Sequence, residues 1–170
     1  KLHEPATLRQ QVDRMLADPK AERFINDFVD QWLDLKDIDA TTPDKRLYPE
    51  FNTWLHDSML TETRAFFREL IDGNLSATNI VDSDFALLDQ PLASLYRIEG
   101  VDGSKFRRVP LLPGSHRGGL ITQASLMKVT ANGTTTTPVK RGAWVMHAIL
   151  GQPPAPPPPN VPELASDNAD

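Results

Sequence analysis

The chain has 170 residues, 39% of them apolar and 24% charged, an ordinary composition for a folded domain, and no apolar run reaches the roughly 18–20 residues that a membrane-crossing helix needs. The absence of cysteine excludes disulfides, thiolate metal sites, cysteine nucleophiles and the covalent attachment of c-type haem within these residues. The net charge of −5 is unevenly divided, with 11 Lys/Arg against 19 Asp/Glu in residues 1–100 and 7 against 4 in residues 101–170, and this acidic majority argues against general nucleic-acid binding.

Lys1-Leu2-His3-Glu4-Pro5 offers neither an initiator methionine nor a signal-peptide core, and Asp167-Asn168-Ala169-Asp170 follows a proline tract; both ends read as boundaries inside a longer polypeptide. Thr7-Leu8-Arg9-Gln10 fits a capping box, and Leu8, Val12, Met15 and Leu16 follow at helical spacing. Asp18-Pro19 predicts the end of that helix and the cap and first residue of the next. Phe24, Ile25, Phe28, Val29, Trp32 and Leu33 then mark one face of a strongly amphipathic helix running to about Leu35. Residues 36–48 read as a polar connection. Pro49 is expected to open a third helix with a stripe of Phe51, Leu55, Met59, Phe66 and Leu70, stopped by Gly73. Glu62 and Arg64 interrupt this helix; they would pair either with other buried polar groups or in a surface ion pair, and the surface ion pair is the favoured account.

Residues 76–100 read as short helices capped by Ser76 and Asp84, with Leu87, Leu88, Leu92, Leu95 and Tyr96 supplying apolar contacts. Phe106 to Leu111 reads as a short extended segment that Pro110 keeps at a sheet edge or outside a sheet. Gly114 to Gly119 is a loop, and Leu120 to Val129 fits a short helix or a strand, of which the helix is favoured. Thr137 and Pro138 open a last helix whose buried side is Val139, Val145, Met146, Ile149 and Leu150, ended by Gly151. Seven prolines within 153–162 predict an extended polyproline II spacer.

Chemistry is sparse. Between Lys105 and Arg141 there are seven basic residues and no acidic one. His116-Arg117-Gly118-Gly119 and the Thr134 to Gly142 segment combine hydroxyls, glycines and cations. Arg117, Thr137, Lys140 and Arg141 are therefore the candidate anion-binding residues. A helix starting at Thr137 would offer free N–H groups, whereas Lys140 and Arg141 in its first turn oppose the helix dipole and call for an anion, either a ligand or an acidic side chain of the first half. Neither loop has the spacing of a nucleotide-binding motif. His3, His56, His116 and His147 share no metal-ligand spacing, and Asp82-Ser83-Asp84 lacks the glycine and closing glutamate of a calcium loop, so no metal site and no catalytic residue is assigned. Trp32, Trp54 and Trp144, one on each of three expected helices, read as core.

Specific strings carry a resemblance. Phe28-Val29-Asp30-Gln31-Trp32-Leu33-Asp34-Leu35 and Met59-Leu60-Thr61-Glu62-Thr63-Arg64-Ala65-Phe66-Phe67 resemble the domain of unknown function 1592. Arg117-Gly118-Gly119-Leu120-Ile121-Thr122-Gln123-Ala124-Ser125, Thr137-Pro138-Val139-Lys140-Arg141-Gly142 and the proline-rich Gly151 to Pro162 are similar to the domain of unknown function 1588. The pattern of the family implies a glycine after Tyr96, where this chain has Arg97. The resemblance implies a large, exported protein of the kind typical of planctomycetes and related bacteria, often with a c-type cytochrome domain elsewhere in the polypeptide, and it brings no catalytic residues.

The expected fold is mainly α, with five to seven helices, a loop-rich second half and an extended proline-rich tail. Residues 1–100 form a helical region resembling the first domain, 101–152 a loop-rich region resembling the second and packed with the first, and 153–170 a tail or linker. The expected role is a docking or structural module of an extracytoplasmic protein linked to cytochrome c. Other domains of that protein would be its partners, and haem would be bound elsewhere than in this segment. The alternative is an enzyme or binding domain that acts on an acidic or sulfated carbohydrate through the basic loops.

Overall fold

The computed structural model describes residues 1–155, and the fold is mainly α. Helices α1 (Pro5–Leu16), α2 (Ala21–Trp32), α3 (Thr53–Asp72), α4 (Gln90–Tyr96), α5 (Ala124–Val129) and α6 (Pro138–Trp144) are joined by short 3-10 turns, and α6 runs into one π-helical turn at Val145–Ile149. Strands β1 (Phe85–Leu88) and β2 (Arg107–Pro110) form an antiparallel pair in which Phe85 faces Pro110 and Leu88 faces Arg107. From Pro156 on, the expected polyproline spacer lies outside the described residues.

Two apolar interiors share one helix and one strand. The first gathers Ile25, Val29 and Leu33 from the α2 region, Phe66 and Leu70 from α3, and Phe85 and Leu87 from β1. The second gathers Leu55 and Met59 from α3, Ala86 and Leu88 from β1, and Leu92, Ala93 and Tyr96 from α4. Successive side chains of a strand point to opposite faces, so β1, buried along its whole length, is a partition with one interior on each side. Helix α3 divides lengthwise instead, its first half serving one interior and its second half the other. Residues beyond 117 close both: Leu120, Leu126 and Trp144 enter the first, and Ala124 enters the second.

Several local expectations change. Helix α1 starts at Pro5 rather than Thr7, whose hydroxyl donates to the Glu4 carboxylate instead of a backbone cap. Asp18 accepts from the Lys20 N–H in a turn before α2 and is not its cap. Helix α2 stops at Trp32, because Asp34 takes a left-handed conformation with φ of 57°. Asn52, not Pro49, opens α3, with its side-chain oxygen accepting from the Leu55 N–H at 2.9 Å. Leu87 and Leu88 belong to a strand, and the cap of α4 is Asp89 rather than Asp84. Val139 is 82% exposed, and the buried anchor of the last helix is Trp144, which meets the first interior. Trp54 is exposed, whereas Trp32 is half-buried and donates from Nε1 to the Ala148 carbonyl at 2.8 Å.

Helix α4 ends on Arg97, whose φ of 58° lies in the left-handed region that favours glycine. This is the position where the resemblance leads one to expect a glycine. The Arg97 side chain is exposed and makes no hydrogen bond among the described residues, so little opposes its removal. Arg97→Gly is expected to stabilise the chain by about 1 kcal/mol, measured as a higher urea midpoint with an unchanged slope.

Candidate functional site

The stripe Leu55, Met59, Phe66, Leu70 on α3 has a fifth member at the same helical spacing, Glu62, and it is 1% exposed. It sits where the two interiors meet. The Tyr96 hydroxyl donates to Glu62 Oε2 at 2.7 Å and accepts from the Ala124 N–H at 2.7 Å, so one phenol ties the end of α4 and the start of α5 to the middle of α3. Glu62 Oε1 is buried and has no hydrogen-bond partner among the described residues. Glu62 borders a void of about 10 Å³, which also touches Arg117, Thr122 and Gln123.

Burial pushes the Glu62 carboxyl up to about 8, against the opposing pull of the Tyr96 hydrogen bond, the Ala124 N–H and the Arg117 charge. The Tyr96 hydroxyl is raised well above its usual range, first by burial and then by Glu62. Glu62 is therefore not at the surface, and among the described residues it makes no ion pair. Arg64 instead grips Asp30 of α2 with two hydrogen bonds of 2.9 and 2.6 Å. Other buried polar groups flank Glu62 along α3. Ser58 donates to Asp89 at 2.6 Å, and Thr63 donates to the Gln123 side chain at 2.7 Å and lies 2.6 Å from the Ser125 hydroxyl.

Arg117 lies across this seam. Its guanidinium sits 3.8 Å from the centre of the Tyr96 ring, and Nη1 donates to the Thr122 carbonyl at 3.1 Å. The glycines after it explain how the loop comes this close. A Cβ on Gly118 would fall 2.7 Å from the Ser83 carbonyl oxygen, and one on Gly119, where φ is 68°, would fall 2.5 Å from the Ile80 carbonyl oxygen. Arg117 thereby walls three spaces at once: the small void at Glu62, an open polar cleft of about 630 Å³ beside Asp82, Asp84 and His116, and an apolar cleft of about 300 Å³.

The other candidate anion-binding residues gather elsewhere. Thr137 stands at the start of α6, but its hydroxyl donates to the Thr130 carbonyl and caps nothing. Arg141 Nε donates to the Thr130 hydroxyl at 3.2 Å, and Lys140 is exposed. No hydrogen bond among the described residues joins Arg117 to these three, and none of them lines a cavity that Arg117 lines. His56 lies 3.0 Å from Asp39 and 3.1 Å from Asp57, and among the described residues no three His, Asp or Glu side chains gather as metal ligands would.

A family model described as a protein of unknown function, DUF1592, matches residues 1–98, more than half of the chain. The chain belongs to the DUF1592 family. A second model described as a protein of unknown function, DUF1588, matches residues 117–170, beginning on Arg117 itself. No curated protein and no solved structure matches the chain. The DUF1592 segment thus contributes Glu62 and Tyr96 and the DUF1588 segment contributes Arg117, Gln123 and Ala124, so the seam is built from both.

The sequence alone does not give the Glu62–Tyr96 pair, nor the burial of Lys128, whose ammonium donates to the carbonyls of Ile38 and Thr41. One signal is present: a carboxylate at a core position of the α3 stripe. Because the Glu62 carboxyl titrates near 4.5 when unfolded and near 8 when folded, the folded chain holds the extra proton between these values. Its contribution to stability is complete below about pH 4.5 and is lost as pH rises through about 8. Glu62→Gln, an isostere of the protonated side chain, is expected to flatten the fall in stability between pH 5 and pH 8.5 by on the order of a few kcal/mol, checked by urea denaturation of both proteins across that range.

Proposed function

We propose that the chain is a non-catalytic docking module of a larger exported protein and that it packs against a neighbouring domain of that protein, a c-type cytochrome domain being the expected neighbour. The observation that carries this reading is helix α1. It has the apolar stripe of a helix that packs, yet buries no residue: Leu8, Val12 and Met15 are 50%, 44% and 61% exposed. An amphipathic helix normally covers such a stripe, and a contiguous apolar surface left to water marks an interaction site.

The aromatic row on α2 supports the same reading. Phe24 stacks on Phe28, Phe28 packs on Trp32 and on Phe67 of α3, and both phenylalanines of α2 remain exposed. Rigid aromatic side chains fixed by their neighbours make strong contacts at little entropic cost, which suits an interface. The exported, cytochrome-linked setting rests on the family resemblance.

The test is association of this chain with the separately produced remainder of its polypeptide, followed by calorimetry. Binding at low micromolar concentration is expected, with a loss of about ten-fold or more in the Leu8→Asp, Met15→Asp double variant. Both side chains are largely exposed, so the far-ultraviolet circular dichroism of the variant should match that of the parent chain. No association at high micromolar concentration, or equal association of the double variant, would overturn the reading.

A further inference from the structure

We propose that the apolar cleft of about 300 Å³ between the 41–51 connection, α3 and α5 is a binding site for a small amphipathic carboxylate, whose aryl or alkyl body fills the cleft and whose head meets Arg117 and Lys128. The body of the site is hydrocarbon: Phe51, Leu55, Met59, Leu95 and Met127 line it, with Tyr96 at its inner wall. Its size and lining suit a small molecule, apolar overall with a few polar groups at its walls.

The charge at its walls points to the class of ligand. Lys128 is a buried side chain on α5, and its ammonium donates to two backbone carbonyls, Ile38 and Thr41. An ammonium has three N–H donors, so one remains beyond these two. Arg117 is half-buried and stacked on Tyr96, and among the described residues its guanidinium donates only to the Thr122 carbonyl. Among the described residues neither cation lies within ion-pairing distance of a carboxylate. The one acidic residue on the wall of the cleft, Glu50, is exposed.

Glu62 behind Arg117 does not supply the missing charge, since burial favours its protonated form at neutral pH. Partly buried cations with no carboxylate within ion-pairing distance are costly, and an entering anion offsets that cost. An inorganic anion would leave the hydrocarbon surface unfilled, and an uncharged apolar molecule would leave the cations without a counter-charge. A carboxylate on an apolar body satisfies both. The burial of Lys128 lowers the affinity of its ammonium for a proton, with Asp39 acting in the opposite direction, and a bound carboxylate would act in the same sense as Asp39.

The test is isothermal titration calorimetry of the full chain with 3-phenylpropanoate and octanoate, and with the uncharged 3-phenylpropanol and octanol, at constant ionic strength. Carboxylates are expected to bind about ten-fold or more tightly than the matching alcohols. Arg117→Met should remove most of that preference while leaving alcohol binding intact. Met127→Trp, a change at a partly exposed position that fills the cleft, should abolish binding of both kinds. The proposal is overturned if neither carboxylate binds at millimolar concentration, if acid and alcohol bind equally, or if Met127→Trp binds as the parent chain does. None of these outcomes bears on α1, so the docking reading stands or falls separately.

Discussion

Everything in this fold depends on α3 serving two interiors at once. A helix of 20 residues has length enough to reach both, but a single apolar stripe must then pass the place where one interior gives way to the other. Glu62 occupies that place. A carboxyl group there costs desolvation, and its Tyr96 hydrogen bond offsets only part of that cost. What the arrangement provides in exchange is register. An apolar residue at position 62 would tolerate many placements of α4, whereas a carboxyl oxygen that must meet one phenol, which must itself meet the Ala124 N–H, tolerates few. The cost of leaving a partner unpaired thus fixes α3, α4 and α5 relative to one another.

Strand β1 solves the same problem by different means. Its residues alternate between the two interiors without interruption, because the pleat already sends neighbours to opposite sides. That is why Phe85-Ala86-Leu87-Leu88 reads in the sequence as an unbroken apolar run with no period of its own. A run this short and uniformly apolar does not distinguish a strand from a buried helical turn, and by its neighbours it reads as helix. Its partner β2 is recognisable as an extended segment because Pro110 excludes a helix interior and suits an edge. The pairing that turns the segment into a sheet is a tertiary fact, visible only once Arg108 packs over the Phe85 ring at 3.8 Å and reaches Glu69 of α3.

The helices themselves are legible where a long stripe repeats, as in α2 and α3, and poorly bounded where a cap has to be chosen among several polar residues. Asn52 and Asp89 cap helices by local hydrogen bonds that sequence spacing permits at several nearby positions as well. The candidate site is legible in part. Arg117 stands out because it precedes two glycines, and those glycines are explained by backbone pressed against Ile80 to Ser83. Thr137, Lys140 and Arg141 stand out by composition alone, and composition carries no information about which cavity a loop reaches. Lys128 gives no signal at all: a lysine near the end of a short helix is usually a solvated one, and its burial here follows from where Ile38 and Thr41 place their carbonyls.

The contrast between Glu62 and Arg117 shows how two charges of opposite sign come to lie near one another without forming an ion pair. For an ion pair, both groups must be desolvated and then recover the loss from their mutual attraction. Glu62 is the more deeply buried, and it avoids its share of the cost by holding a proton. Arg117 has no such escape, because a guanidinium does not give up its charge at any ordinary pH. It spreads that charge over the Tyr96 face and the Thr122 carbonyl, and the rest of it faces the clefts. A neutral acid inside and a permanent cation at the wall place a positive group at the edge of the mostly hydrocarbon cleft, whereas the open polar cleft that Arg117 also walls holds Asp82 and Asp84. The loop that carries this cation lies against the backbone of Ile80 to Ser83, an approach that only glycine at 118 and 119 permits, so the architecture sets where the Arg117 backbone stands.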